Sequence, residues 1–138
     1  MGTISEAIVT FIQDYENIVI DTSHIQDGSD AYGLFKSPAR DVKLFNDYTQ
    51  EITEYYQFMA KQSSVSNTDR KTADEWLEDL TYWVDDYSLS YVYPTLTDNR
   101  KITNIELTGC PYPMESTEDE TLYQMSLKIT YTREREEL

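Results

Sequence analysis

Ile52-Thr53-Glu54-Tyr55-Tyr56-Gln57-Phe58-Met59-Ala60-Lys61 and, a short polar link later, the run from Asp69 to Tyr87 form the stretch whose reading decides the fold. The first part is rich in strand formers. Alternation places Tyr56, Phe58 and Ala60 on one side and Tyr55, Gln57 and Met59 on the other. In the second part Ala73, Trp76, Leu77, Leu80, Trp83, Val84 and Tyr87 recur at spacings of three and four, one face of a helix. Asp74, Glu75, Glu78, Asp79, Asp85 and Asp86 fill the opposite, solvated face. Ser66 to Thr68 supplies N-caps, and Asp69 complements the positive end of the macrodipole. Each indole hides on the order of 200 Å² when buried. Trp76 and Trp83 are therefore expected to need a broad apolar partner, the sheet side that carries Tyr56 and Phe58.

Working outward toward the N-terminus, Thr3-Ile4-Ser5-Glu6 is a capping box, and Ile4, Ala7, Ile8, Phe11, Ile12 and Tyr15 form an apolar stripe. The spacing predicts a first helix of about three turns. Asn17-Ile18-Val19-Ile20-Asp21 reads as a first strand, and Asp27-Gly28-Ser29-Asp30 as a turn closing a hairpin into Ala31–Lys36. Ser37-Pro38 is expected to end that strand, since proline lacks the ladder donor. Ala39 to Gln50 mixes polar residues with Val42, Leu44, Phe45 and Tyr48 and has no decisive period.

Toward the C-terminus, Tyr87 to Arg100 reads as a partly extended connection and Lys101 to Thr108 as a strand closed by Gly109. Cys110-Pro111-Tyr112-Pro113-Met114 and the acidic Glu115 to Glu120 form an exposed hairpin excursion. Tyr123, Met125, Leu127, Ile129 and Tyr131 alternate without a break with polar residues, the clearest half-buried strand. Arg133 to Leu138 alternates charge and should fray. The expected architecture is one α+β domain over residues 1–138, an antiparallel or mixed β-sheet with two α-helices packed on one face, in the order α-β-β-β-α-β-β.

Composition narrows the function. The 138 residues carry 26 Asp and Glu against 11 Lys and Arg, a net charge of -15. Phosphate contacts need clustered cations, so sequence-specific nucleic-acid binding is not expected. Twelve Tyr, four Phe and two Trp argue for a folded core under an acidic surface. No apolar run approaches the roughly 20 residues of a membrane span, and Met1-Gly2 lacks the Ser or Thr at position 6 that myristoylation wants. A lone cysteine, Cys110, fits a reducing compartment and reads as a packed thiol, and with one histidine it makes no zinc set.

Catalytic constellations are equally sparse. His24 has no nucleophile arrangement around it and reads as a turn residue. Neighbouring acids such as Glu78-Asp79, Asp85-Asp86 and Glu118-Asp119-Glu120 diverge or lack calcium-loop spacing, and Gly28, Gly33 and Gly109 form no phosphate cradle. No catalytic residue, metal or cofactor is expected. Tyr55, Gln57, Met59, Tyr112, Pro113 and Met114 are instead candidates for a subunit interface, because they lie outside the clearest core faces. The same residues could fill a second small cluster beneath the long loop.

The run Glu51–Gln62, the helix Ala73–Leu80, the turn Gly109–Pro113 and the strand Tyr123–Tyr131 together resemble the small minor capsid, or tail-terminator-like, proteins of long-tailed bacteriophages and prophages of Gram-positive bacteria. The resemblance covers most of the chain and is one of pattern and element order. It implies an α+β subunit without catalytic residues that closes the head-proximal end of the tail tube as a ring, commonly of six. Its partners would be further copies of itself, the major tail protein and the head-tail connector. Its place would be the virion, with assembly in the host cytoplasm. An acidic loop, Glu115, Glu118, Asp119 and Glu120, would suit a lumen through which DNA slides, since like charge repels phosphate within the Debye length. Two other classes stay open: an acidic DNA mimic, with the 69–87 helix imitating phosphates, and a metal-assisted hydrolase, which lacks ligand spacing.

Overall fold

Buried and half-buried residues alternate along the whole of β3 (Gln50–Ser63) and β6 (Glu120–Arg133), which makes these two strands the centre of the sheet. The computed structural model describes residues 2–22, 25, 31–63, 66–87, 93–96, 99–117 and 119–134. Around the central pair lie β1 (Ile20–Asp21), β2 (Ala31–Leu44), β4 (Arg100–Leu107) and β5 (Tyr112–Ser116), in the order β1-β2-β3-β6-β4 with β5 alongside β6. The class is α+β, with a mixed six-stranded sheet and two helices among the described residues. The expected succession is present, and β5 is a further short strand within the predicted excursion.

Helix α1 (Ile4–Gln13) starts as its capping box predicts, Thr3 Oγ1 accepting from the Glu6 amide at 3.1 Å. Helix α2 (Asn67–Tyr87) is capped by Ser66, whose hydroxyl accepts from the Asp69 amide at 3.1 Å. Ile4, Ala7, Ile8, Phe11 and Ile12 of α1 and Ala73, Leu77, Leu80 and Val84 of α2 join one core with Tyr56, Phe58, Met125, Leu127 and Ile129. Those strand residues share one parity, so both helices cover the same face of the sheet.

The tryptophans pack differently from the expectation. Trp83 lies against Phe11 of α1, 4.8 Å between ring centroids, and against Tyr15 and Tyr87. Trp76 meets Tyr15 and, from the sheet, Tyr32, while its indole N–H donates to Glu16. Both rings are half-buried. They weld α2 to α1 and the start of β2, while the smaller Ala73, Leu77, Leu80 and Val84 are buried in the core beside the sheet.

Two strand expectations are corrected. The first strand is reduced to Ile20–Asp21 and pairs parallel with β2, so no hairpin joins them. The turn at 26–30 and His24 lie outside the described residues. Pro38 does not end β2, which runs on to Leu44. The register moves from Lys36 opposite Tyr56 to Arg40 opposite Glu54, so Ser37, Pro38 and Ala39 form a bulge. β1 pairs only Tyr32 and Gly33, which leaves the distal part of β2 an edge, where proline is tolerated. From the bulge, β2 and β3 continue, with β6 beside β3 as far as Arg133 opposite Gln50, into the turn Phe45–Thr49, and this hairpin end is the arm. Tyr48 occupies the left-handed region there, with φ of 68°.

Candidate assembly surface

The helices leave the other face of the sheet uncovered by any described element. Register fixes its rows. Gly33, Met59, Gln124 and Tyr112 lie side by side across four strands, and Phe35, Gln57 and Ser126 form the next row. Tyr55, Lys128 and Glu106 follow, with Lys128 and Glu106 ion-paired at 3.3 Å, and Tyr55 donates its hydroxyl proton to Asp41 at 3.1 Å. A Cβ on Gly33 would come within 2.8 Å of the Phe35 ring, so the ring lies over bare backbone there. With Leu122, opposite Lys61 in the row beyond Met59, the face carries Phe35, Tyr55, Met59, Leu122 and Tyr112 beside the Lys128–Glu106 ion pair.

Four of the six predicted interface residues are thus brought together: Tyr55, Gln57, Met59 and Tyr112 share this face. Pro113 does not. It is opposite Tyr123, on the helix side. Met114 is the extra residue of a bulge between Pro113 and Glu115 and is exposed. Of the acidic loop, Glu115 belongs to β5, Asp119 and Glu120 belong to a turn closed by the Thr117 amide donating to the Glu120 carbonyl at 2.8 Å, and Glu118 lies outside the described residues.

Pro113 instead helps to line a groove of about 530 Å³ between α2 and the β4–β5 segment. Leu77, Tyr82, Pro111 and Tyr123 form its apolar part, with Asp74, Glu78 and the exposed Cys110 at its margins. Tyr82 donates to Glu78 at 2.9 Å, and that bond, the charge of the carboxylate and burial raise the phenol above its ordinary value.

At the other end of β3 sits a group that the sequence reading passed over. Glu54 is 3 % exposed on the helix side, where the parity of Tyr56 and Phe58 would have placed it. Tyr131 donates to one carboxylate oxygen at 2.5 Å, while Tyr56 donates at 3.4 Å and Lys36 pairs at 2.8 Å with the other. Burial opposes the charged form, but the bonds from Lys36 and Tyr131 prevail and hold the carboxyl below its ordinary value. Burial and the neighbouring carboxylate push Tyr56 up to about 12 and raise Tyr131 as well. The cluster ties the root of the arm to the central strands, so its chemistry is structural.

No protein-family model and no curated protein matches the chain. Among the described residues, no three His, Cys, Asp or Glu side chains are placed to hold a metal ion, and no helix is long and apolar enough to cross a membrane. What the described surface offers is area for contact: a sheet face, a groove and the exposed apolar end of the β2–β3 hairpin.

Proposed function

We propose that the protein is a structural subunit that works by assembling with copies of itself, as the ring-forming tail terminator of a long-tailed phage, capping the tail tube and joining it to the head connector. The observation that carries this reading is the helix-free sheet face, where Phe35, Tyr55, Met59, Leu122 and Tyr112 make a patch of the aromatic and sulfur-bearing kind enriched in the cores of interfaces. The resemblance of element order to tail-terminator-like proteins gives the direction. The acidic turn with Asp119 and Glu120 would serve at the lumen.

The test has two arms. Negative-stain images and light scattering of the purified protein should show rings or their fragments. In the phage, Tyr55→Asp with Met59→Asp should give folded protein but tails of abnormal length or tails that fail to join heads. Normal infectious particles from a gene deletion would end the proposal.

A DNA-mimic inhibitor is the second reading, favoured by the exposure of Asp74, Glu75, Glu78, Asp79, Asp85 and Asp86 along α2. Compact monomers or dimers that bind a nuclease in competition with DNA would support it instead.

A further inference from the structure

We propose that the β2–β3 arm of one copy inserts its apolar end into the α2–β5 groove of the next copy, head to tail. The inference rests on the self-assembly reading and adds to the sheet face a second, specific contact between copies. The distal part of β2 is exposed on both sides, and its end and the following turn show four large apolar residues to solvent: Val42, Leu44, Phe45 and Tyr48, with Leu44 at 61 % exposure. A single exposed leucine is ordinary, but four large apolar residues between 42 and 48 concentrate apolar surface at this end, Val42 and Leu44 on one side and Phe45 beneath the Lys43 ammonium, 5.4 Å from its ring centroid. The φ of 68° at Tyr48, a conformation that favours glycine, holds a large aromatic at the tip where a small residue would fit the backbone better.

Charge selects the groove as the occupant's seat. Arg40, Val42 and Leu44 share the parity of Glu54, Ile52 and Gln50 and so lie on the helix side of the arm. The only strand carboxylate on that side of the arm is Glu54, which is buried and paired with Lys36. Asp41, Lys43 and Glu51 lie on the opposite side. The working side of the arm is therefore apolar with a guanidinium, and the groove is its complement: Leu77, Tyr82, Pro111, Pro113 and Tyr123 bordered by Asp74 and Glu78.

The arm cannot fill its own groove. The strand residues level with its end are Gln50 and Arg133, and the groove is level with Tyr123, ten residues along β6. At about 3.3 Å per residue that is roughly 33 Å. Two unlike patches at opposite ends of one subunit make a heterologous contact, the type that generates closed rings when the rotation closes.

The native Cys110 at the groove margin gives a direct probe. Leu44→Cys protein, treated with a bismaleimide, should yield a ladder of crosslinked multimers that Leu44→Cys with Cys110→Ser does not. Circular dichroism and thermal melting of each variant check that it is folded. Arg40→Glu should raise the concentration for half-assembly by at least about tenfold, and adding Asp74→Lys with Glu78→Lys should restore it. If wild-type protein assembles while Leu44→Cys gives no Cys110-dependent crosslink and Arg40→Glu assembles normally, the arm-to-groove contact is wrong and self-assembly stands. If wild-type protein stays monomeric at every concentration and salt level tested, including in the presence of tail tubes, both the contact and the function proposed above fall.

Discussion

Glu54 shows how one side chain couples distant strands. Removing its carboxylate takes the acceptor from two buried tyrosine hydroxyls and the partner from the exposed Lys36, so Glu54→Ala should cost about 2 to 3 kcal/mol in urea denaturation, the scale of hydrogen bonds to a charged group. Because its folded pKa is depressed, the stability it contributes is present above the unfolded carboxylate value of 4.5 and is lost as pH falls through the lower folded value. The phenols act in the opposite sense. Tyr56 and Tyr131 are held protonated, so their contribution is present below the free value of 10.0 and is lost as pH rises toward about 12. Melting temperature against pH should therefore decline at both limits, and Glu54→Gln should remove much of the acid-side dependence. Tyr48 belongs to the same scale. Tyr48→Gly should raise stability by about 0.5 to 1 kcal/mol, since glycine adopts positive φ without the Cβ clash. It should also weaken assembly, because it deletes an aromatic from the arm's end.

At the scale of elements, α2 holds to the molecule through two different sets of residues. Ala73, Leu77, Leu80 and Val84 are buried in the core, and Trp76 and Trp83 clasp α1 and the turn after it through Phe11 and Tyr15. Trp83→Ala is expected to cost about 3 kcal/mol, at the lower limit for a large aromatic because the ring is half-buried, and Trp76→Ala less. Equilibrium unfolding followed by circular dichroism checks both, and a loss under about 1 kcal/mol at Trp83 would mean that the clasp contributes nothing. The arm owes its form to a different device. The bulge at Ser37–Ala39 takes up extra residues in β2 without changing which face the later residues occupy, since Lys36 and Arg40 pair with Tyr56 and Glu54, two apart. It also places proline on an unpaired edge, which discourages indiscriminate strand addition.

At the scale of the whole molecule, charge and assembly pull against each other. Each copy brings a net charge of -15, so in the proposed assembly neighbours would repel at long range while the arm and groove attract at close range. Salt screens the long-range term over a Debye length of about 10 Å at 0.1 M and less as it rises. Light scattering should therefore show larger assemblies at 0.5 M than at 0.05 M salt, and the reverse order would mean that the local ion pairs dominate. The acids are disposed unevenly: α2 carries Asp74, Glu75, Glu78, Asp79, Asp85 and Asp86 exposed, while Arg100 and Arg133 pair across the strands at the arm's end of the sheet.

The sequence by itself determined the helices and the central strands, because a period of 3.6 or 2 is written in adjacent residues. Thr3 and Ser66 as caps, the core stripe of α1 and the alternations of β3 and β6 needed nothing from elsewhere in the chain. The grouping of Tyr55, Gln57 and Met59 followed from the same alternation. Tertiary structure alone decided what depends on pairing. Nothing local makes Ile20–Asp21 parallel to Tyr32–Gly33, or gives Glu54 a partner 77 residues away in Tyr131. Pairing of Tyr112 and Pro113 with Gln124 and Tyr123 decides which of the two joins the open face, and an outer edge with no ladder to maintain lets β2 run through Pro38. Alternation also fades along the arm, where both sides of β2 meet solvent and burial no longer separates them. The sheet face and the arm are therefore properties of register and of strand neighbours, which the residues encode only through partners far along the chain.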